Sequence, residues 1–149
     1  SGLPVVSRYP HAYRVGYYEQ DMPVGFDAAI FQPSWDFKFK NDTSAYVLVQ
    51  TYSNLQESTL TFKLYGTPDG RQVEISTPVV TGQSPPPESL YEDDPNLKKG
   101  VVQQVDFAAW GATSTFTRTV KKGNDVLFTD TFTSKYQPWR AVFRVGTKE

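Results

Sequence analysis

The chain has 149 residues, room for one ordinary domain or two small ones, and 55 of them are β-branched or aromatic against 17 Leu, Ala and Met, which excludes an all-helical fold. A hydrophobic content of 38% can bury a core, so a disordered chain is excluded too. A formal charge of −1 offers no field for nucleic acid, no apolar run nears the roughly 18 residues that span a bilayer, and the absence of Cys removes disulfides, thiolate metal sites and a Cys nucleophile from this segment.

In chain order, the segment Ser1-Gly2-Leu3-Pro4 has no leader character and reads as the middle of something longer. The first clear alternation is Trp35, Phe37 and Phe39 against Asp36, Lys38 and Lys40, which predicts a strand over 35–40. Asn41-Asp42-Thr43-Ser44 is a turn signal, Tyr46–Tyr52 a second strand and Leu60–Tyr65 a third, closed by Gly66-Thr67-Pro68-Asp69-Gly70. No segment patterns as a helix beyond a single turn at Phe26–Phe31.

After that break, Val73–Val80 predicts one extended strand whose end is demoted by Pro78. Pro85-Pro86-Pro87 cannot continue a ladder, and the acidic Glu92-Asp93-Asp94-Pro95 reads as a turn, so no long element is expected between Gly82 and Gly100. Strands are expected again at Val101–Phe107, Thr113–Lys121, Val126–Thr133 and Arg140–Val145, with a hairpin turn at Lys122-Gly123-Asn124-Asp125. Thr115, Thr117 and Thr119 share one face of their strand, opposite Phe116, Arg118 and Val120. A hydroxyl-rich face buries little, which suggests a thin sheet wet on both sides and held by aromatic and cross-strand pairs.

The chemistry-bearing residues are few. His11 is the one histidine and sits in Tyr9-Pro10-His11-Ala12-Tyr13; without a Gly-x-Ser-x-Gly elbow a structural or hydrogen-bonding role fits it better than a catalytic one. It has no His or Cys companions, so no metal site is expected, and no phosphate-binding glycine signature implies a cofactor. Bunched carboxylates (Glu19 with Asp21, and Glu92-Asp93-Asp94) read as solvated turns. Trp110, Tyr136, Trp139 and Tyr91 remain as platforms on which sugar rings would stack, with Arg140 and Asn124 as polar partners; the alternative is that these rings cap the small core at the sheet ends.

Two stretches carry resemblances. Leu3-Pro4-Val5-Val6-Ser7-Arg8-Tyr9-Pro10-His11, then Gly25-Phe26-Asp27-Ala28-Ala29-Ile30, then Asp36-Phe37-Lys38-Phe39-Lys40-Asn41-Asp42-Thr43 resemble the C-terminal half of the VanW-like domain. His11, Asp27, Asp36 and Asn41 are the motif residues without an assigned role. The family's Gly-rich, Cys-containing segment would lie upstream and is not in this sequence. Asp94–Gly100, Gly111, Gly123-Asn124-Asp125-Val126 and Val142–Thr147 look like the five-glycine (G5) domain, with Gly100, Gly111, Gly123 and Gly146 as its matching glycines.

The resemblance implies an all-β chain in two pieces. Residues 1–66 would be the C-terminal portion of a VanW-like domain, an antiparallel meander, and residues 67–149 a thin, elongated antiparallel five-glycine module. It further implies an extracellular, cell-envelope setting tethered by an N-terminal region, and binding of peptidoglycan or another N-acetylglucosamine-containing glycan without catalysis. Zinc-driven assembly, known among relatives, is not expected with a lone histidine in the other piece. Two other readings stay open: a structural spacer whose strand edges self-associate, and the noncatalytic half of a peptidoglycan-modifying enzyme in which His11 partners an upstream Cys.

Overall fold

The computed structural model describes residues 1–149, and its regular elements are strands except for one 3-10 turn at Tyr18–Gln20. The strands are β1 (Val5–Ser7), β2 (Lys38–Phe39), β3 (Leu48–Asn54), β4 (Thr59–Tyr65), β5 (Arg71–Ile75), β6 (Val79–Ser84), β7 (Leu90–Lys98), β8 (Val102–Asp106), β9 (Gly111–Lys122), β10 (Asp125–Tyr136) and β11 (Val142–Lys148). The fold is all-β, and Phe26–Phe31 forms no helical turn. No helix is long and apolar enough to cross a membrane.

The β9–β10 hairpin organises the molecule. Its two 12-residue strands pair antiparallel from Asp125↔Lys122 to Tyr136↔Ala112 around a tight turn at Gly123-Asn124. On the far side of β9 lie both β5, opposite Lys122–Arg118, and β6, opposite Thr115–Gly111. The single strand expected over 73–80 is therefore two. Pro78 has no donor for the ladder, and the chain crosses the gap at Ser76, whose N–H donates to the Thr117 carbonyl (2.9 Å) and whose Oγ accepts from the Thr117 N–H (3.0 Å).

The faces of β9 alternate as its sequence predicts. Ala112, Ser114, Phe116 and Val120 are buried on one side, while Thr113, Thr115, Thr117 and Thr119 lie on the other with Thr129, Thr131 and Thr133 of β10. Two Thr pairs meet across the strands, Thr115–Thr133 at 3.4 Å and Thr119–Thr129 at 3.3 Å. The sheet is not wet on both sides, however. The apolar face is covered by the first 30 residues of the chain, with Phe26 against Phe116 (ring centroids 4.4 Å). Ser114 Oγ donates to the Val24 carbonyl (2.7 Å) and Arg118 to the Leu3 carbonyl (3.1 Å). Val120 is fully buried there, worth about 1.5–3 kcal/mol of transfer free energy. The core thus lies between the two halves of the chain, with Phe26 of the first against Phe116 of the second.

A second sheet runs β7–β11–β8, with β8 antiparallel and β7 parallel to β11. β7 corrects the expectation of no element between 82 and 100: nine residues including Glu92-Asp93-Asp94-Pro95 are strand. An edge strand tolerates charges and a proline, because one side of its backbone faces solvent. Gly146 makes the pairing close: a Cβ there would overlap the Lys98 carbonyl oxygen and lie 2.7 Å from its carbon.

The strand expected over 35–40 shrinks to Lys38–Phe39. Its partner β1 is only three residues long and shifts register between Val5 and Ser7. Trp35 instead closes a small loop by bridging Phe31. β3 and β4 form the expected antiparallel hairpin, Leu48↔Tyr65 to Asn54↔Thr59, with every residue exposed.

Candidate functional site

The densest polar chemistry sits where the first 30 residues meet the end of β10. Arg8 is drawn under the surface by three acceptors. Nε donates to the Asp27 carbonyl (2.8 Å), and Nη2 donates to the Gly25 carbonyl and to Ser134 Oγ (2.9 Å), with its guanidinium 5.8 Å over the Phe132 ring. Gly25 lets its backbone come so near: its φ is +98°, and a Cβ would lie 2.6 Å from Ser114 Oγ. Arg8 is 9% and Asp27 11% side-chain exposed, so this is a charge pair held largely out of water, Nη2 to Oδ1 at 3.9 Å.

Asp27 is the hub. Its Oδ2 accepts from the His11 backbone N–H (2.8 Å) and from His11 Nδ1 (2.7 Å), and its Oδ1 accepts from the Tyr136 hydroxyl. Burial raises the carboxyl's pKa, but the His11 N–H, the Tyr136 hydroxyl and the imidazole outweigh it and hold Asp27 below the usual carboxylate range. Tyr136 is pushed up to about 12, first by burial and then by its bond to Asp27. Burial lowers Arg8 from its ordinary value, with Asp27 opposing. An ionised Asp27 at Oδ2 requires the hydrogen on Nδ1 of His11, so in the neutral ring Nε2 is the acceptor nitrogen.

Beside this cluster lies an open groove of about 500 Å3, formed by Tyr13–Tyr17 from one half of the chain and Asp106–Ala109 with Trp139 from the other. Tyr13 packs on Trp139 (centroids 4.4 Å, 43°), whose Nε1 donates to Asp106 Oδ2 (2.6 Å). Backbone bonds hold the groove: Gln137 N–H donates to the Ala12 carbonyl across the two halves (2.7 Å), and Ala109 and Trp139 exchange a pair of bonds within the second wall (2.9 and 2.8 Å). Tyr17 and Phe107 are 67% and 71% exposed at its rim. Arg14 is fixed in the groove wall by a bidentate pair with Glu19 (2.7 and 2.6 Å).

Of the stacking residues expected from sequence, Trp139 lies in the groove, with Arg140 exposed next to it in sequence and Trp110, half exposed, following Ala109 of the groove lining. Tyr136 is corrected: it is 7% exposed and its hydroxyl is bound to Asp27, so it offers no face to a ligand. Asn124 is exposed at the hairpin turn, one whole strand from Tyr136, roughly 40 Å away at strand rise. Tyr91 stacks on Phe143 in the other sheet (4.9 Å, 13°). These three do not join the groove.

Of the motif residues, His11 and Asp27 meet directly, whereas Asn41 builds a turn, bonding Thr43 and the Ala45 carbonyl, and Asp36 accepts from Ser7 Oγ through its backbone. Gly100 and Gly123 have positive φ, and Gly111 faces Ser84 and Pro138. Arg8, Tyr13, Tyr17, Asp106 and Phe107 were not singled out as site residues. The signal for Tyr13 and Tyr17 is the aromatic-rich run from Tyr9 to Tyr18.

The fold and the site together define an all-β protein in which the first 30 residues complete a buried Asp-centred cluster at the end of a long hairpin and an aromatic groove beside it. Residues 1–65 match the family model described as "VanW like protein". Among solved structures the chain is similar to "IgA1 Protease G5 domain structure", at 17% identity and a TM-score of 0.32, over 53% of this chain and 94% of that one. No curated protein matches the chain.

Proposed function

We propose that the chain is a non-catalytic module of the bacterial cell envelope that binds peptidoglycan or another N-acetylglucosamine-containing glycan in the Tyr13–Trp139 groove. The carrying observation is the groove itself: exposed Tyr17 and Phe107 beside the Tyr13–Trp139 pair, with Arg14 and Asp106 fixed in its walls. Apolar faces of sugar rings stack on such rings, and fixed polar groups orient their hydroxyls and N-acetyl groups. The match of residues 1–65 to the VanW family model supports the envelope setting.

Titrating muropeptides or N-acetylglucosamine oligomers, with Trp fluorescence and amide shifts as readouts, tests this reading. Saturable changes at residues 13–17, 106–109 and 139 are expected, weakened about tenfold or more by Trp139→Ala or Tyr17→Ala. No response at millimolar ligand overturns it.

A second reading, the noncatalytic half of a peptidoglycan-modifying enzyme, is favoured by the His11–Asp27 pair at 2.7 Å. A carboxylate on Nδ1 orients the ring and leaves Nε2 free to take a proton from a nucleophile that this sequence does not contain. In a longer form of the protein that modifies peptidoglycan, His11→Ala would abolish the reaction and leave glycan binding in place. Undiminished activity would remove this reading.

A further inference from the structure

The β3–β4 hairpin presents a different problem from the groove. It is a two-stranded sheet by itself, and neither strand approaches any other strand of the molecule. Every residue of both strands is exposed, and one face carries an apolar stripe: Val49, Leu60, Phe62 and Leu64, at 45%, 61%, 61% and 43% exposure. A lone two-stranded hairpin is marginally stable in water, so this arrangement gains from a further strand.

The sequence of β3 indicates which edge receives it. Leu48-Val49-Gln50-Thr51-Tyr52-Ser53-Asn54 has no charge, proline or glycine, and of the strands with seven or more residues β3 alone lacks a charged side chain. Charges, prolines and bulges are the devices that keep open edges from pairing. β4 carries Lys63, set over the Tyr52 ring at 5.0 Å, and β7 carries Glu92, Asp93, Asp94 and Pro95.

We propose that β3 is a self-association seam, at which two copies of this chain pair β3 with β3 antiparallel about a two-fold axis through Thr51. That register pairs all seven residues of each strand. It sets Thr51 against its own copy, Gln50 against Tyr52, Val49 against Ser53 and Leu48 against Asn54 of the second copy, with no like charges opposed. The two apolar stripes then share one face of a four-stranded sheet, and the interface is isologous as a two-fold dimer requires. Seven residues make a seam only about 24 Å long, which buries less than the roughly 1,200 Å2 of a standard interface. The dimer is therefore weak and depends on concentration.

Sedimentation equilibrium from about 10 μM to 1 mM, without glycan, tests this. The expected result is a mass rising from 16.8 kDa towards twice that value. Thr51→Lys and Thr51→Glu each place like charges on the axis and are expected to weaken the dimer at least tenfold, while an equal mixture of the two restores it as a heterodimer. Amide spectra of both variants would show that the β3–β4 pairing is intact. Trp139→Ala leaves this dimer unchanged, which separates it from the glycan reading. A monomer at 1 mM, a dimer indifferent to both charges, or a mixture that stays monomeric would each overturn the proposal.

Discussion

Replacing Tyr136 with Phe removes one oxygen from the Asp27 cluster and leaves the ring in its place at the end of β10. The lost bond is from a buried hydroxyl to an ionised carboxylate, Oη to Oδ1, of a kind worth about 1.5–3 kcal/mol. The variant is expected to be less stable by about that amount at pH 7. The difference has a pH signature. In the folded state the phenol titrates near 12 rather than 10.0, so the folded protein holds a proton that the unfolded chain has released between these values. This contribution is complete below pH 10 and is lost as pH rises through 12. A shift of two units corresponds to about 2.7 kcal/mol, of which about 2 is gone at pH 12. Urea unfolding followed by far-UV circular dichroism at pH 7, 10 and 12 measures it for both proteins, and other groups that titrate there cancel in the comparison. The gap between wild type and Tyr136→Phe should close by about 2 kcal/mol between pH 10 and 12. A gap that holds constant across this range would refute the assignment of Tyr136 as the buried donor to Asp27.

Arg8→Met removes the buried guanidinium, leaves Asp27 without its positive neighbour and takes a donor from each of three acceptors, of which the Gly25 carbonyl keeps Ser134 Oγ at 3.4 Å; a loss of about 3–5 kcal/mol is expected by urea unfolding, and a loss under 1 would contradict the buried pairing. Asp27→Asn should flatten the acid limb of the stability curve. The native carboxyl titrates below its ordinary 3.8, so its contribution is present above about pH 4 and is lost as pH falls through the lower folded value. Gly146→Ala drives a methyl group into the Lys98 carbonyl and should cost at least about 1–3 kcal/mol, with hydrogen exchange accelerated in 90–98 before the β9–β10 hairpin responds.

Much of the fold was legible because its signals are local. The alternation of Thr113–Thr119, the Gly123-Asn124 turn and the Leu60–Tyr65 strand each follow from side-chain period and turn chemistry within a few residues. The failures share the opposite property. Leu90–Lys98 is a strand only because β11 lies beside it, and nothing in Glu92-Asp93-Asp94-Pro95 announces a parallel partner 52 residues away. Val73–Val80 divides because both of its pieces must follow β9, and the strand at 35–40 stops where β1 ends.

The site divides in the same way. From the sequence alone came the β class, the lack of a Cys nucleophile, the VanW-like motif that contains Arg8, His11 and Asp27, and the suspicion that aromatic side chains carry the binding chemistry. Tertiary structure decided what each residue does with that chemistry. Tyr136 and Trp139, three residues apart, were interchangeable as candidates; one is buried on Asp27, 109 positions away in sequence, and the other lines a groove with Tyr13. Burial and hydrogen bonding across such separations depend on how the loops of residues 1–30 lie over the β9–β10 hairpin, and no short-range pattern in either segment encodes that packing.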